Sequence, residues 1–219
     1  MKKTSTKPIG ATSYKETAFG IIPKVKLLKL ELEGTKRGLD FISQQSSNNK
    51  TIKITPDFIC KLHKISFGWI FPKWAGRLRI VQVTISGKEA PVYFKIPELI
   101  VNLCSDLEER LKHLPNTQTD KYILEVVKLL AWFQHKFVFI HPFQDYNGRT
   151  ARMLTILILL RLDLPPVEIE AEKGSDRKLY IKAMQKGDTG DLTLLENIIS
   201  QTLYEGLEQF QKKHRMNKI

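Results

Sequence analysis

The stretch His141-Pro142-Phe143-Gln144-Asp145-Tyr146-Asn147-Gly148-Arg149-Thr150-Ala151-Arg152 lies between two strongly helical segments. Upstream, Ile123, Val126, Val127, Leu130, Phe133 and Phe137 recur at helical spacing. Downstream, Arg149 to Leu162 is apolar almost all round after its first turn, which is the pattern of a central buried helix. Pro142 disfavours helical backbone at His141, so the first helix should end there. Asp145 to Gly148 has loop chemistry, and a new helix should start at about Gly148–Arg149. The N–H groups and positive dipole end of that helix would face the loop and form an anion site.

The side chains around that anion site suit phosphate. Arg149 and Arg152 are three apart on the new helix and can project to the same side. Guanidinium groups grip phosphate oxygens bidentately. Asp145 is a hard oxygen ligand of the kind Mg²⁺ takes beside nucleotide phosphates. His141 has the ordinary pKa of a proton acceptor near neutral pH. A base, a metal ligand, an anion cradle and two arginines in one short run fit phosphoryl or nucleotidyl transfer. Each residue alone could be a helix cap, a surface ion pair or a turn histidine; capping does not account for all of them in this order.

Outward from the motif, the helical period continues. Leu99, Leu103, Leu107 and Leu111 mark a helix before Pro115. Asp176 to Lys186 reads as a shorter helix closed by Gly187 and Gly190, and Leu195, Ile199, Leu203, Leu207 and Phe210 mark the last one. Thr55-Pro56-Asp57 opens a helix whose apolar positions are Phe58, Ile59, Leu62, Ile65 and Phe67. Ile80 to Ile85 alternates, Ser86-Gly87-Lys88 turns, and Val92 to Ile96 is β-prone, so residues 80–96 read as a β-hairpin. Residues 25–44 are mixed, the second half suiting a helix and the first ambiguous, and Ser43 to Lys50 reads as a polar loop. The expected fold is mainly α, one helical bundle with a small β-hairpin flap.

The 219 residues carry 35 Lys and Arg against 23 Asp and Glu, a net charge of +12. That length is one large domain, or one domain with an appendage, with enough core to fold without disulfides. The two cysteines, Cys60 and Cys104, exclude a disulfide scaffold and a four-cysteine zinc site. The basic residues are spread thinly except at the tail, and no nucleic-acid-binding pattern accompanies them, so they read as a solvated surface. The longest apolar run, Met153 to Leu160, falls short of a membrane span, and the N-terminal residues offer no signal core. A cytoplasmic protein is expected.

The stretch from His141 to Arg152 resembles the Fic family signature, His-x-Phe-x-Asp/Glu-Gly-Asn-Gly-Arg-x-x-Arg, with one departure, Tyr146 in place of the first glycine. Ala75-Gly76-Arg77-Leu78-Arg79 and the hairpin after it resemble the family's Ala-Gly-x-x-Arg segment and substrate-positioning flap. The resemblance implies a protein adenylyltransferase that moves AMP from ATP to a Tyr, Ser or Thr hydroxyl of a target protein. Carried over by position, His141 would be the base and Asp145 would hold Mg²⁺. Asn147, Gly148 and Arg149 would grip the phosphates, Arg152 would orient the γ-phosphate and Phe143 would anchor the loop. Tyr146 would either narrow the cradle or stack or hydrogen-bond at the nucleotide. The alternatives are a Fic enzyme with another donor or with de-AMPylating activity, and a degenerate module that binds a nucleotide or a partner.

Fic proteins often carry an inhibitory helix, Ser/Thr-x-x-x-Glu-Gly/Asn, and Leu30-Glu31-Leu32-Glu33-Gly34-Thr35 resembles its core, with Lys29 at the Ser/Thr position. The resemblance makes Glu33 the inhibitory residue, paired with Arg152. Residues 1–50 would then be an N-terminal arm with this helix, and 51–219 the catalytic domain. The expected partners are ATP and a protein target, with a homo-oligomer allowed, and neither membrane nor nucleic acid. His63, Trp69, Trp74 and Trp132 read as core or interface residues, and His135 as a support for the motif loop. Glu168, Glu170 and Glu172 could pair with nearby bases.

Overall fold

The computed structural model describes residues 16–48, 52–85, 87–171 and 174–216. In chain order its elements are α1 (Lys24–Asn48), α2 (Pro56–Phe67), the strands β1 (Thr84–Ile85) and β2 (Lys88–Glu89), a 3-10 turn (Tyr93–Lys95), α3 (Ile96–Lys112), α4 (Lys121–Ile140), α5 (Asn147–Arg161), α6 (Gly174–Gly187) and α7 (Thr193–Met216). The fold is the mainly helical one expected, with a small flap.

Helix α5 is the axis of the bundle. Every side chain from Thr150 to Leu159 is buried, so its neighbours surround it: α4, α1 and α2 all pack against it. Each partner presents a stripe. In α2 the buried residues are Ile59, Leu62, His63, Ser66 and Phe67, and the helix starts where Thr55 Oγ1 accepts the Phe58 N–H at 3.1 Å. In α3 they are Ile96, Ile100, Leu103, Cys104 and Leu107. The fully buried Phe67, Phe133, Phe137 and Phe143 bring α2, α4 and the α4–α5 loop into one core.

Helix α1 departs from the expectation. It is continuous from Lys24 to Asn48, so the Ser43 to Ser47 part of the expected loop is helical, while Asn49 and Lys50 lie outside the described residues. The Ser47 hydroxyl donates to the Ser43 carbonyl at 2.9 Å, and extending an existing helix costs far less than nucleating one. The apparent alternation of Leu28, Leu30 and Leu32 misleads, because Leu32 is exposed. The buried stripe is Leu27, Gly34, Gly38, Phe41 and Ile42, at helical spacing. A Cβ on Gly34 would overlap the Ser66 carbonyl oxygen, and one on Gly38 would overlap the Ser66 hydroxyl and the Met153 sulfur. These glycines let α1 cross α2 and α5 at close range and fix which face of α1 meets the motif.

The flap is also shorter than residues 80–96. Only Thr84 with Glu89 and Ile85 with Lys88 pair, extended by the Ala90 N–H to the Val83 carbonyl at 3.1 Å. Ser86, in the expected turn, lies outside the described residues. Val92 to Ile96 does not form the second strand. Pro97 sits in the first turn of α3 and suits a helix start, so the chain enters α3 through the 3-10 turn. Ile80 and Phe94 are exposed, which leaves the alternation no core face to bury.

Replacing Gly34 by Ala should lower stability by about 1–3 kcal/mol, because the added methyl meets backbone on α2. Denaturant unfolding of the two proteins measures this, and equal midpoints would mean that α1 does not pack closely at Ser66.

Candidate active site

Two left-handed residues shape the loop between α4 and α5. His141 (φ 53°, ψ 60°) turns the chain out of α4, and Tyr146 (φ 59°, ψ 18°) turns it into α5. Each costs about 1–2 kcal/mol for a residue other than glycine, so the surroundings must hold them. Asn147 does so with its side-chain amide. Its Oδ1 accepts the Phe143 N–H at 2.9 Å and its Nδ2 donates to the Phe143 carbonyl at 2.9 Å. Phe143 itself points inwards, fully buried, and stacks on His63 at 3.8 Å between ring centroids. The Asn147 side chain is therefore spent on the loop, and what this residue offers an anion is its backbone N–H.

His63 is more than a core residue. The Gly76 N–H donates to its Nδ1 at 2.9 Å, so the ring proton sits on Nε2, which donates to the Asp145 carbonyl at 3.1 Å. One neutral ring thus ties the Ala75–Gly76 turn to the motif loop. Burial pulls its pKa down to about 4, against the pull of the Asp145 carbonyl and carboxylate in the other direction. Only its helical position was legible in the sequence.

His141 keeps one nitrogen for chemistry. Its Nδ1 lies 3.2 Å from the Val138 carbonyl and donates to it, which puts the lone pair on Nε2. Burial lowers its pKa, Arg79 adds to the lowering, and the Val138 carbonyl and Asp145 oppose it. The net direction favours the neutral imidazole, the form that accepts a proton.

The first helical bond of α5 runs from the Thr150 N–H to the Tyr146 carbonyl at 2.9 Å. The N–H groups of Asn147, Gly148 and Arg149 precede it and form the positive end of the helix. Arg152 is buried, and its guanidinium lies beside Gly148. Its guanidinium carbon lies 5.9 Å from the centroid of the Tyr180 ring, whose hydroxyl joins a buried polar chain. That hydroxyl accepts from Gln134 Nε2 at 2.6 Å, and Thr155 Oγ1 donates to Gln134 Oε1 at 2.8 Å. This chain of buried polar groups ties α4, α5 and α6 together beside Arg152.

The carboxylate that α1 brings to the motif is Glu31. Glu31 Oε2 lies 3.2 Å from Arg149 Nη1, with both side chains little exposed. The expected pair between Glu33 and Arg152 is replaced by a different one: Glu33 pairs with Arg37 at 3.3 Å, on the half-exposed side of α1. Residues two apart on a helix point nearly opposite ways, and the close packing of Gly34 on Ser66 turns position 31 towards the motif. Thr35, one turn on, faces Arg149 and Arg152 with Glu168 across a small void. Glu172 lies outside the described residues.

Tyr146 packs between the motif loop, α1 and α2. Its ring is buried, stacked on Phe67 at 4.3 Å and grouped with Phe71 and Trp74. Its hydroxyl donates to Glu31 Oε1 at 2.5 Å. Burial first, then Glu31, holds the phenol well above its ordinary pKa, so it remains a donor. Ring burial offsets the left-handed backbone that the family's glycine would adopt freely.

Asp145 stands at the loop surface between His141 and α5, with Oδ1 accepting the Tyr146 N–H at 2.7 Å. Among the described residues no cluster of three His, Cys, Asp or Glu could cage a metal. A single carboxylate beside an anion site fits Mg²⁺, which keeps waters and shares phosphate oxygens rather than needing an all-protein cage. His135 does not support the motif loop. Its Nε2 lies 3.1 Å from Asp188 Oδ1, and Asp188 Oδ2 takes Lys88 from the flap at 3.0 Å. These residues edge a cleft of about 360 Å³ between the flap, α4 and α6, walled mainly by Ile85, Ala90, Val138, Phe139, Ile181 and Met184. Tyr180 borders the same cleft, so it opens next to Arg152.

Residues 53–159 match the Fic/DOC family. The protein adenylyltransferase Fic of Nematostella vectensis is 33% identical over 175 residues, 79% of this chain and 38% of that protein. The chain is a Fic-domain protein, and it spans 38% of the length of that curated relative. Among solved structures, Fic-1 (residues 134–508) of Caenorhabditis elegans superposes with a TM-score of 0.63 at 24% identity, over 84% of this chain and 51% of that one. The BepC effector of Bartonella tribocorum, solved with AMPPNP bound, gives 0.59 at 19% identity, over 90% and 95%. These two share the fold. Among the described residues no helix is long and apolar enough to cross a membrane.

The neutral burial of His63 makes stability depend on pH. Its folded pKa of about 4 lies below the ordinary 6.5. The unfolded chain therefore binds the proton first as pH falls, and stability is lost between pH 6.5 and 4, by about 3 kcal/mol. Denaturant midpoints across that range should fall in the native protein and fall less steeply in His63→Asn. Equal slopes would assign the acid sensitivity to other groups.

Proposed function

We propose that this chain is a protein adenylyltransferase, moving AMP from ATP to a Tyr, Ser or Thr hydroxyl of a target protein. The observation that carries it is a neutral His141, its Nε2 free of the Val138 contact, on one loop with Asp145 and the arginine-flanked N-terminus of α5. The adenylyltransferase name of the Nematostella relative and the nucleotide analogue in BepC point the same way.

The apolar cleft suits a flat base, and Tyr180 at its edge lies beside Arg152 at the phosphate end. Arg149, Arg152 and the N–H groups of α5 hold the phosphates. Asp145 would hold Mg²⁺, which supplies charge neutralisation at the phosphates. The target hydroxyl oxygen attacks the α-phosphorus in line, and its proton passes to His141 Nε2. The bond from that phosphorus to the bridging oxygen breaks, and pyrophosphate leaves with the electron pair. Such catalysis is mostly positioning and charge stabilisation.

The resting site is restrained. Glu31 occupies Arg149 and is itself held by Tyr146, so phosphates must compete with a carboxylate for that guanidinium. A charge-assisted bond of this kind contributes about 1.5–3 kcal/mol, enough to lower the productive fraction by one to two decades. The brake is therefore assigned to Glu31 acting on Arg149.

With α-labelled ATP and Mg²⁺, label should pass to protein, and His141→Ala should lower the transfer rate by about 10²–10⁴. An undiminished rate in that variant would remove His141 from the reaction. Glu31→Ala should raise automodification by about ten-fold or more, and Tyr146→Phe should raise it less, because the Arg149 pair survives. A rate in Glu31→Ala equal to that of the native chain would show that the carboxylate does not restrain the site.

A further inference from the structure

Arg79 is 2% exposed, and its guanidinium is surrounded by backbone carbonyls. Nε donates to the His141 carbonyl at 2.7 Å. Nη1 donates to the Val81 carbonyl at 2.9 Å, and Nη2 to the Pro91 carbonyl at 2.5 Å and the Ile140 carbonyl at 3.5 Å. The Arg79 backbone N–H adds a bond to the Pro142 carbonyl at 2.8 Å. Val81 precedes β1 and Pro91 follows β2, so they are the two feet of the flap. Ile140 and His141 are the end of α4 and the left-handed turn after it.

A buried charge is retained only when its donors are matched, and here one planar fork spans three chain segments. Lysine, with three donors on one atom, cannot reach all of them. One of the contacts is to the carbonyl of His141, the residue whose backbone is strained, with φ 53°. A bond to that carbonyl resists relaxation of the turn and so fixes where the imidazole stands.

We propose that Arg79 is a positioning residue for the transfer reaction: it clamps both feet of the flap to the His141 carbonyl, keeping the base in register with a target segment laid along the flap. This rests on the reading of His141 as the base. A displacement of the flap by a few tenths of an ångström reaches the imidazole through one side chain, with no loop between them. The guanidinium donates to backbone carbonyls, so in this proposal Arg79 acts through His141. Its positive charge acts on His141 as well, together with the Asp145 carboxylate, and among the described residues these two are the charged groups that bear on the imidazole.

The test is steady-state transfer in the full chain with Arg79→Lys and Arg79→Gln, followed against pH, with His141→Ala alongside. Arg79→Lys should lower kcat by about ten- to a hundredfold, the scale of a small misplacement of a reacting group. KM for ATP should stay within about threefold, because the phosphate site is untouched. The acid limb of its pH–kcat profile should stay in place, since the charge remains. In Arg79→Gln the limb should move to higher pH, because loss of the positive charge lets His141 take its proton more readily. General damage to the fold would lower the amplitude and weaken ATP without moving the limb. Native kcat in Arg79→Lys, or an unmoved limb in a folded Arg79→Gln, would overturn the proposal. If Arg79→Gln does not fold, the kcat and KM of Arg79→Lys decide. Transfer that survives His141→Ala would show that the base assignment itself has failed; transfer lost there but intact in the Arg79 variants would sink this inference alone.

Discussion

The pair of hydrogen bonds between the Asn147 side chain and the Phe143 backbone sets the geometry on which the site depends. It closes the loop between α4 and α5 into a tight cradle, with the positive end of α5 aimed into it. Two left-handed residues stand in that loop without glycine's freedom. Each is tolerated because something rigid holds it: the Arg79 fork on the His141 carbonyl, and the aromatic group of Phe67, Phe71 and Trp74 around Tyr146. Strain of this kind persists only where surrounding contacts over-determine it. Beneath the loop, the stacked Phe143 and His63 rings join the cradle to α2.

The parts of this arrangement that are local in sequence were legible there. Pro142 after His141 predicted the end of α4, the near-continuous apolar run predicted α5 as the buried axis, and Thr55-Pro56 predicted the start of α2. The placing of Arg149 and Arg152 on one helical turn followed from spacing, and Phe143 as the loop's anchor from the family resemblance. What depends on distant segments was hidden. His63 looks like any histidine on an apolar helix until Gly76 and Asp145 are brought to its two nitrogens. Arg79 gives no sign of its carbonyl partners. The rotation of α1 is set by Gly34 and Gly38 against Ser66, a contact that leucine spacing does not encode. A motif match therefore chose Glu33, while packing presents Glu31. The flap is present but short for a related reason: alternation with no face to bury supports only two residues in each strand.

Tyr146 shows how one departure from a family pattern can be absorbed. A glycine at that position would leave the turn free and the space beside α1 empty. The tyrosine fills that space with a ring and extends a hydroxyl to Glu31, so motif loop and α1 share a polar contact across the core. Tyr146 therefore holds the Glu31–Arg149 pair in place at the N-terminus of α5. Under the proposed function, restraint of the phosphate site and stability of the α1 packing would be linked: loosening α1 would remove Glu31 from Arg149, and filling the phosphate site would disfavour the α1 contact.

The most direct measurement is the intact mass of a target protein, or of the chain itself, after incubation with ATP and Mg²⁺. In the proposed reaction, a base at His141 and a triphosphate held by Arg149, Arg152 and the N-terminus of α5 would place the α-phosphorus before the attacking hydroxyl. The added mass should then be that of one adenosine monophosphate, with pyrophosphate released in equal amount. An added phosphate alone, or ATP that is bound but never transferred, would contradict it.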